Sequence, residues 1–327
     1  MITYCILTFL FIFLFAKVSY SLNLVDIPNY RKKHTKPTAY TGGLAISISY
    51  ICSLLLFETY IQSLNMIISI SLLLAVVGFI DDKNNLNIGG KLSLQILPII
   101  YLIIVENLHL TQLGNYEYFK FELNSTSIPF TLLATMFLIN SFNYFDGLDG
   151  TLGFTSISVI IILYFLTADT NIKLYLINIL LPICIFLLFN FSIFNLPKLF
   201  LGDNGSLLLG FIIAFTLIYL ANERILHPIL LAWSISIFVY EFLSINFLRL
   251  KNNKGIFKAG RDHLHHLIYD KTNSIFMTNF LIFFSNIFLF LVGYTTFKLF
   301  NPLISLFTFM FSFIFFFIIR STYLLKK

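Results

Sequence analysis

Asn140-Ser-Phe-Asn143-Tyr-Phe-Asp146-Gly-Leu-Asp149-Gly sets four polar side chains at a constant spacing of three. On a helix this places them roughly a turn apart near one face. The sequence on either side is almost wholly Ile, Leu and Phe. A bare carboxylate at membrane depth costs ~2.5–3.5 kcal/mol even on a forgiving insertion scale. Asp146 and Asp149 must therefore reach water or meet something that compensates their charge.

Four other stretches carry chemistry of a related kind. Asp81-Asp82-Lys83 ends an apolar run, and Gly89-Gly90-Lys91 follows. Adjacent carboxylates repel, and a helix C-terminus disfavours negative charge, so a cation or proton is called for there. The plainer alternative is a solvated helix end. In Phe200-Leu-Gly-Asp203-Asn-Gly-Ser206 the glycines free the backbone, Asp203 offers hard oxygen to Mg²⁺, and Ser206 could cap the next helix. Gly260-Arg261-Asp262-His263-Leu-His265-His266 has neither the cysteines nor the HExxH spacing of a zinc site. Beside Lys258 and Arg261 it suits a cationic pocket for phosphate. The basic stretch Arg31-Lys-Lys-His34-Thr-Lys36 leads to Gly42-Gly43, whose amides at a helix start could hold an anion. Separated aspartates for a divalent cation, with His, Arg and Lys for phosphates, are the parts of a phosphoryl-transfer site.

The rest of the chain must place those parts in a membrane. Of 327 residues 58% are hydrophobic and 11% charged, and mean hydropathy is +0.89. A soluble domain carries roughly 25% charged residues. Apolar segments near 2–22, 43–61, 65–80, 92–106, 128–142, 152–168, 173–192, 206–221, 227–249, 275–298 and 302–320 are taken as transmembrane helices at ~20 residues each. The expected fold is an all-α polytopic membrane protein of about 11 transmembrane helices, one domain over 1–327, without internal repeat. The first segment lacks a basic n-region and is taken as an uncleaved helix. Aromatic and polar residues alternate over 107–127, which suggests a small outer hairpin.

Charge sets the orientation. With the N-terminus outside, the cytoplasmic loops and tail hold 16 Lys or Arg against 4 in the outer loops. This is a strong positive-inside bias. Eight of nine aspartates then share the cytoplasmic side, so the cytoplasmic loops form the site. The formal charge of +6 is accounted for by these loops, and nucleic acid is not an expected partner. Cys5, Cys52 and Cys184 lie in apolar runs without CxxC spacing and are expected to be small core residues.

The order of these motifs resembles the polyprenyl-phosphate N-acetylhexosamine-1-phosphate transferases of glycosyltransferase family 4, the WecA, TagO and MraY group. The likeness covers five loops: the Asp-Asp pair, NxxNxxDGxDG, FxGDxGS and the histidine loop among them. It implies transfer of a sugar-1-phosphate from a UDP-N-acetylhexosamine to polyprenyl (undecaprenyl) phosphate in a bacterial inner membrane, with release of UMP and use of Mg²⁺, Mn²⁺ being an alternative. Carried over by motif, Asp203 would be the metal ligand. Asp81 and Asp82 would lie at the lipid-phosphate end, where one takes the acceptor's proton, and Lys91 would hold that phosphate. Asn143, Asp146 and Asp149 would belong to the nucleotide-sugar and metal centre, with Phe200 stacking on uracil. Arg261, His263, His265 and His266 would contact the pyrophosphate.

Arg261-Asp-His-Leu-His-His266 is similar to the WecA and TagO branch, which implies UDP-GlcNAc as donor. Relatives using 6-deoxy donors share these motifs. Direct attack and a two-step route through an aspartyl intermediate both stay open, as does a homodimer. The competing class is a proton-coupled transporter, for which Glu241 inside an apolar segment is the relevant feature.

Overall fold

The computed structural model describes residues 1–28, 36–57, 61–253, 255 and 260–324. Its thirteen α-helices among these residues are α1 (Ile2–Ser21), α2 (Gly42–Leu56), α3 (Gln62–Asn84), α4 (Ile88–Ile104), α5 (Ser127–Phe145), α6 (Thr151–Leu166), α7 (Thr170–Asn190), α8 (Gly202–Asn222), α9 (Pro228–Ser234), α10 (Ser236–Lys251), α11 (Leu264–Thr272), α12 (Ile275–Leu299) and α13 (Pro302–Ile319). Every apolar segment expected to span is helical. Seven are long and apolar enough to cross a membrane, and three (α2, α4 and α6) are 15–17 residues long, short of the ~20 that a bilayer asks for.

The ninth segment departs from expectation. It breaks into α9 and α10, which meet at 72°. A break inside an apolar bundle frees backbone groups that lipid cannot satisfy. Asn286 of α12 meets them from the side: its Nδ2 donates to the Ser234 carbonyl at 2.9 Å, and its Oδ1 accepts from the Ile237 amide. The same Nδ2 bonds Ser158 of α6 at 2.9 Å, so one buried amide joins α6, α9, α10 and α12.

α8 is the axis of the bundle. Its apolar stretch is entirely buried, whereas that of α13 is 6% buried. α3, α5 and α2 pack around it, and Phe307, Phe311 and Phe315 of α13 point outward. With no polar face to give, the helix interiors satisfy their hydroxyls locally. Thr155, Thr216 and Ser49 each donate to the carbonyl four residues back, a bond that costs no interhelical geometry.

Small residues let backbones meet where α8 begins. A Cβ on Gly78 would lie 2.4 Å from the Asn204 backbone, and one on Gly43 2.1 Å from the Gly205 nitrogen. The Gly42 and Gly43 amides accordingly donate to the Phe200 and Leu201 carbonyls, both at 3.0 Å, and Leu44 N donates to Asn204 Oδ1 at 3.0 Å. The anion site expected at this helix start is not available, because chain carbonyls already take its donors.

Two small antiparallel pairs complete the fold. β1 (Val25–Asp26) pairs with β2 (Thr38–Ala39), and Ala39 bridges to Leu199 ahead of α8. β3 (Gln112–Asn115) and β4 (Lys120–Glu122) form the expected hairpin. Arg31, Lys32, Lys33, His34 and Lys258 lie outside the described residues. Cys5 and Cys52 are half-buried and Cys184 is exposed. These thiols therefore sit toward the outside of the bundle and not in its core, where close packing favours the larger Leu, Ile and Phe.

Candidate active site

The C-terminal end of α3, the N-terminal ends of α4 and α8, and the C-terminal end of α5 converge. Their apolar bodies bury one another, so the polar residues at these ends are held at fixed positions. Lys91 Nζ lies 2.8 Å from Asp81 Oδ2 and also bonds Asp203 Oδ2. It thus stands between carboxylates of two different helices, and Asp203 lies 112 residues from it in sequence. The other oxygen of each is fixed as well. Asp81 Oδ1 accepts from the Leu86 amide at 2.9 Å, and Asp203 Oδ1 from Asn143 Nδ2 at 2.8 Å. Asn143 Nδ2 also reaches Ser206 Oγ at 2.8 Å.

Asp82 has a different position from its neighbour. Its Oδ1 accepts from the Asp203 amide at 3.1 Å, and its Oδ2 from the Asn204 amide at 3.2 Å and Asn204 Nδ2 at 2.7 Å. A carboxylate from α3 thus caps the first turn of α8, satisfying amides that the helix itself leaves unpaired. Ser206, expected as that cap, instead donates to the Asp203 carbonyl at 3.3 Å. The expectation fails because Ser206 lies inside the helix, which begins at Gly202.

The Asn140–Asp149 stretch is only half helical. α5 ends at Phe145, so Asn143 looks into the site from the helix, while Asp146 caps its end and Asp149 lies on the turn beyond. Asn140 points elsewhere: its Nδ2 donates to Gln95 Oε1 of α4 at 3.2 Å and to the Met136 carbonyl at 2.8 Å. Lys198 Nζ bonds Asp149 Oδ2 at 2.6 Å and lies 5.5 Å from the centre of the Phe200 ring. Asn279 of α12 donates to the Asp149 carbonyl at 2.8 Å and accepts from Thr151 Oγ1 at 2.7 Å. Burial, reinforced by the negative charges of Asp203, Asp82 and Asp149, raises the Asp146 pKa well above the usual carboxylate range.

The histidine loop meets this turn from the other side. A Cβ on Gly147 would lie 2.1 Å from His265 Nε2, so only glycine admits that approach. His263 and His265 stack nearly parallel, 5.7 Å apart at 2°, and His266 lies 4.2 Å from His265. Tyr144 meets His263 edge-on at 4.8 Å. Burial, then the positive charge of Arg249, lowers the His263 pKa to about 3. Burial and the two neighbouring imidazoles hold His265 well below its usual value. Both rings are therefore neutral at pH 7. Their buried His263 Nδ1 and His265 Nε2 atoms have no hydrogen-bond partner among the described residues.

Arg261 is not brought in. Its side chain is 52% exposed and lies 3.8 Å from Asp270, an ion pair too loose and wet to fix either group. Arg249 is the arginine at this loop, with Nε and Nη2 donating to Asp262 at 3.0 and 2.8 Å. Burial raises the Asp262 pKa, but these bonds outweigh it and bring it to about 2. Glu241 is no isolated proton carrier, because Arg320 Nε and Nη2 donate to it at 2.7 and 3.0 Å.

Sequence reasoning therefore missed Lys198, Asn204, Arg249, Asn279 and Arg320. Asn204 lies within the Phe200–Ser206 motif and Lys198 two residues before it, and both could have been found from that proximity. Arg249, Asn279 and Arg320 belong to helices whose apolar runs give no such cue.

Among the described residues, no three His, Cys, Asp or Glu side chains form a ready-made metal cage. Mg²⁺, however, keeps several waters and is commonly held by one or two carboxylates together with substrate phosphates. Asp203 and Asp146 supply hard oxygens, and the crowding of charge around Asp146 favours a cation. The donor set fits such an ion.

Residues 64–221 match the family model described as glycosyl transferase family 4. The chain is 29% identical to an undecaprenyl-phosphate alpha-N-acetylglucosaminyl 1-phosphate transferase of Yersinia pestis over 265 residues, 79% of this chain and 73% of the relative. It is 28% identical to the enzyme of that name from Escherichia coli O157:H7 over 276 residues, 82% and 75% of the two chains. The Haemophilus influenzae enzyme of the same name is 26% identical over 255 residues, 76% and 72%. The family-model match runs through the helices that carry Asp81, Lys91, Asn143 and Asp203, and over that stretch the chain is similar to glycosyl transferase family 4.

Proposed function

We propose that the protein transfers N-acetylhexosamine-1-phosphate, with GlcNAc-1-phosphate the first candidate, from a UDP-sugar to undecaprenyl phosphate, releasing UMP. The observation that carries this is the Asp81–Lys91–Asp203–Asn143 constellation within a chain whose relatives are named for that transfer. The product would be the first lipid-linked sugar of a cell-envelope polysaccharide such as O-antigen or teichoic acid. The eleven apolar segments would span a bacterial inner membrane, with the N-terminus outside and the site on the cytoplasmic face, as the charge bias favours.

In the mechanism we favour, a lipid phosphate oxygen forms a bond to the β-phosphorus. The bond from that phosphorus to the oxygen bridging the two phosphates breaks, and UMP leaves with the electron pair. Lys91, an ammonium with three donors, would hold the acceptor phosphate, with Asp81 keeping it in place between substrates. Asp81, whose Oδ2 meets the Lys91 ammonium, is better placed to take a proton from the acceptor than Asp82, whose oxygens cap α8. Asn143 fixes the Asp203 carboxylate. Mg²⁺ held by Asp203 and Asp146 would offset charge on the diphosphate. His263 and His265 would donate from neutral rings to the pyrophosphate, and Phe200 would stack on the uracil.

The test uses purified protein, Mg²⁺, undecaprenyl phosphate and a panel of radiolabelled UDP-HexNAc donors, 6-deoxy sugars included. A labelled lipid and UMP are expected, with the preferred sugar identifying the donor. Absence of both with every donor would sink the proposal. Exchange of labelled UMP into UDP-sugar without lipid phosphate would favour the two-step route over direct attack.

A further inference from the structure

Glu241 and Arg320 form an ion pair in which each side chain is 1% exposed, and no step above uses it. Withdrawing two charges from water costs several kcal/mol per ion, and apolar replacements of such pairs are often neutral or stabilising. What this pair touches points to a purpose. Both oxygens of Glu241 accept from Arg320, and Oε1 also accepts from the Leu264 amide at 2.9 Å. Arg320 Nη2 in turn donates to the Asp262 carbonyl at 2.6 Å. The two contacts grip the backbone on either side of His263. Arg249 holds the Asp262 side chain from α10.

We propose that the Glu241–Arg320 pair is a positioning device that holds the His263–His265 segment against the Asp146–Asp149 turn. Three elements meet in it: α10 through Glu241, the end of α13 through Arg320, and the first turn of α11 through Leu264. With the backbone fixed at residues 262 and 264, the His263 ring is set against Tyr144 and the His265 ring against Gly147. The lipid-facing last helix, remote in sequence from every motif, thereby contributes to the geometry of the site. That this geometry serves catalysis rests on the transfer reaction proposed above.

The experiment compares wild-type protein in lipid nanodiscs with the Glu241→Met/Arg320→Met double variant. Hydrogen–deuterium exchange of the 262–267 segment, thermal unfolding, and kcat and KM for both substrates are measured. The double variant is expected to remain folded while exchange in that segment speeds roughly tenfold or more. Its kcat should fall about 10²-fold, as expected of a small misplacement, with KM for lipid phosphate retained because Lys91 is untouched. A folded double variant with wild-type exchange or wild-type kcat would overturn the proposal. Arg320→Lys is the second variant: one ammonium cannot reproduce the forked contact with Glu241 and the Asp262 carbonyl. Intermediate exchange and kcat are expected for it, and unchanged values would also overturn the proposal. If wild-type protein transfers no sugar, the function falls, and the exchange data still decide whether the pair holds the loop.

Discussion

The ammonium of Lys91 lies 2.8 Å from Asp81 and also bonds Asp203, so one cation balances carboxylates from two helices. Lys91→Ala should leave those charges facing each other. Loss of an electrostatic contact of this type costs roughly 10²–10³ in kcat. Lys91→Arg should recover part of the loss. Steady-state kinetics with varied lipid phosphate provide the check, and an unimpaired Lys91→Ala enzyme would remove Lys91 from the acceptor site.

Asp203→Asn should abolish turnover while the protein stays folded, since the amide keeps the shape but loses the charge offered to a divalent cation. Chelation of wild-type protein should do the same, and Mg²⁺ should restore activity. The readout is UMP release alongside a thermal unfolding curve. Retained turnover in Asp203→Asn would exclude it as a metal ligand.

Asp82→Ala should act mainly through stability. It removes the acceptor of three hydrogen bonds at the start of α8, and loss of a helix cap alone costs ~0.5–2 kcal/mol. Because α8 is the buried axis, the unfolding midpoint should drop, and Asp82→Asn should recover part of it. An unchanged midpoint for Asp82→Ala would contradict the cap.

Gly78→Ala and Gly147→Ala test two close approaches. The first puts a methyl 2.4 Å from the Asn204 backbone and the second 2.1 Å from His265 Nε2. Overpacking of this kind costs about 1–3 kcal/mol. Gly78→Ala should lower thermal stability by moving α8 against α3. Gly147→Ala should spare stability more and reduce kcat, because the imidazole can yield where a helix backbone cannot.

The buried histidines should contribute a loss of stability as pH drops below 6.5, while the raised carboxyls of Asp146 and Asp82 act in the opposite direction. His263 titrates at about 3 in the folded protein against an ordinary 6.5, so between these values the unfolded chain binds a proton that the folded chain refuses. His265 is shifted the same way. Asp262, held near 2 against an ordinary 3.8, adds a loss below about 4 in the same direction. In nanodiscs from pH 8 to pH 5, the thermal midpoint of wild type should fall relative to that of His263→Asn, a difference that isolates the histidine contribution. A wild-type midpoint that holds level with or rises relative to that of His263→Asn on acidification would contradict the buried, neutral histidines.

Much of the site was legible one motif at a time. Apolar runs between polar loops dictate helices, because no other structure satisfies a backbone in lipid. The acids at Asp81, Asp146 and Asp203 stand out because charge is so costly in such surroundings. Partners were much less legible. Asp81 and Asp82 are adjacent in sequence, yet one faces Lys91 and the other caps α8, a division that comes from the α3–α8 crossing at Gly78. Arg261 matches the motif, but the arginine bound at the loop is Arg249, which reads only as a helix-end cation.

By itself the sequence determined that this is a helical membrane protein with a carboxylate-rich, basic-flanked set of loops. Those properties depend on composition and local spacing. Only the tertiary structure decided that α8 is the axis, that the ninth segment breaks at Ile235 under Asn286, and that Arg320 reaches back to Glu241 and Asp262. Arg320 is 79 positions from Glu241 and 58 from Asp262, and such contacts have no local signature. They depend on which helix faces pack together, and runs of Ile, Leu and Phe that are apolar all round carry no periodic signal of that choice.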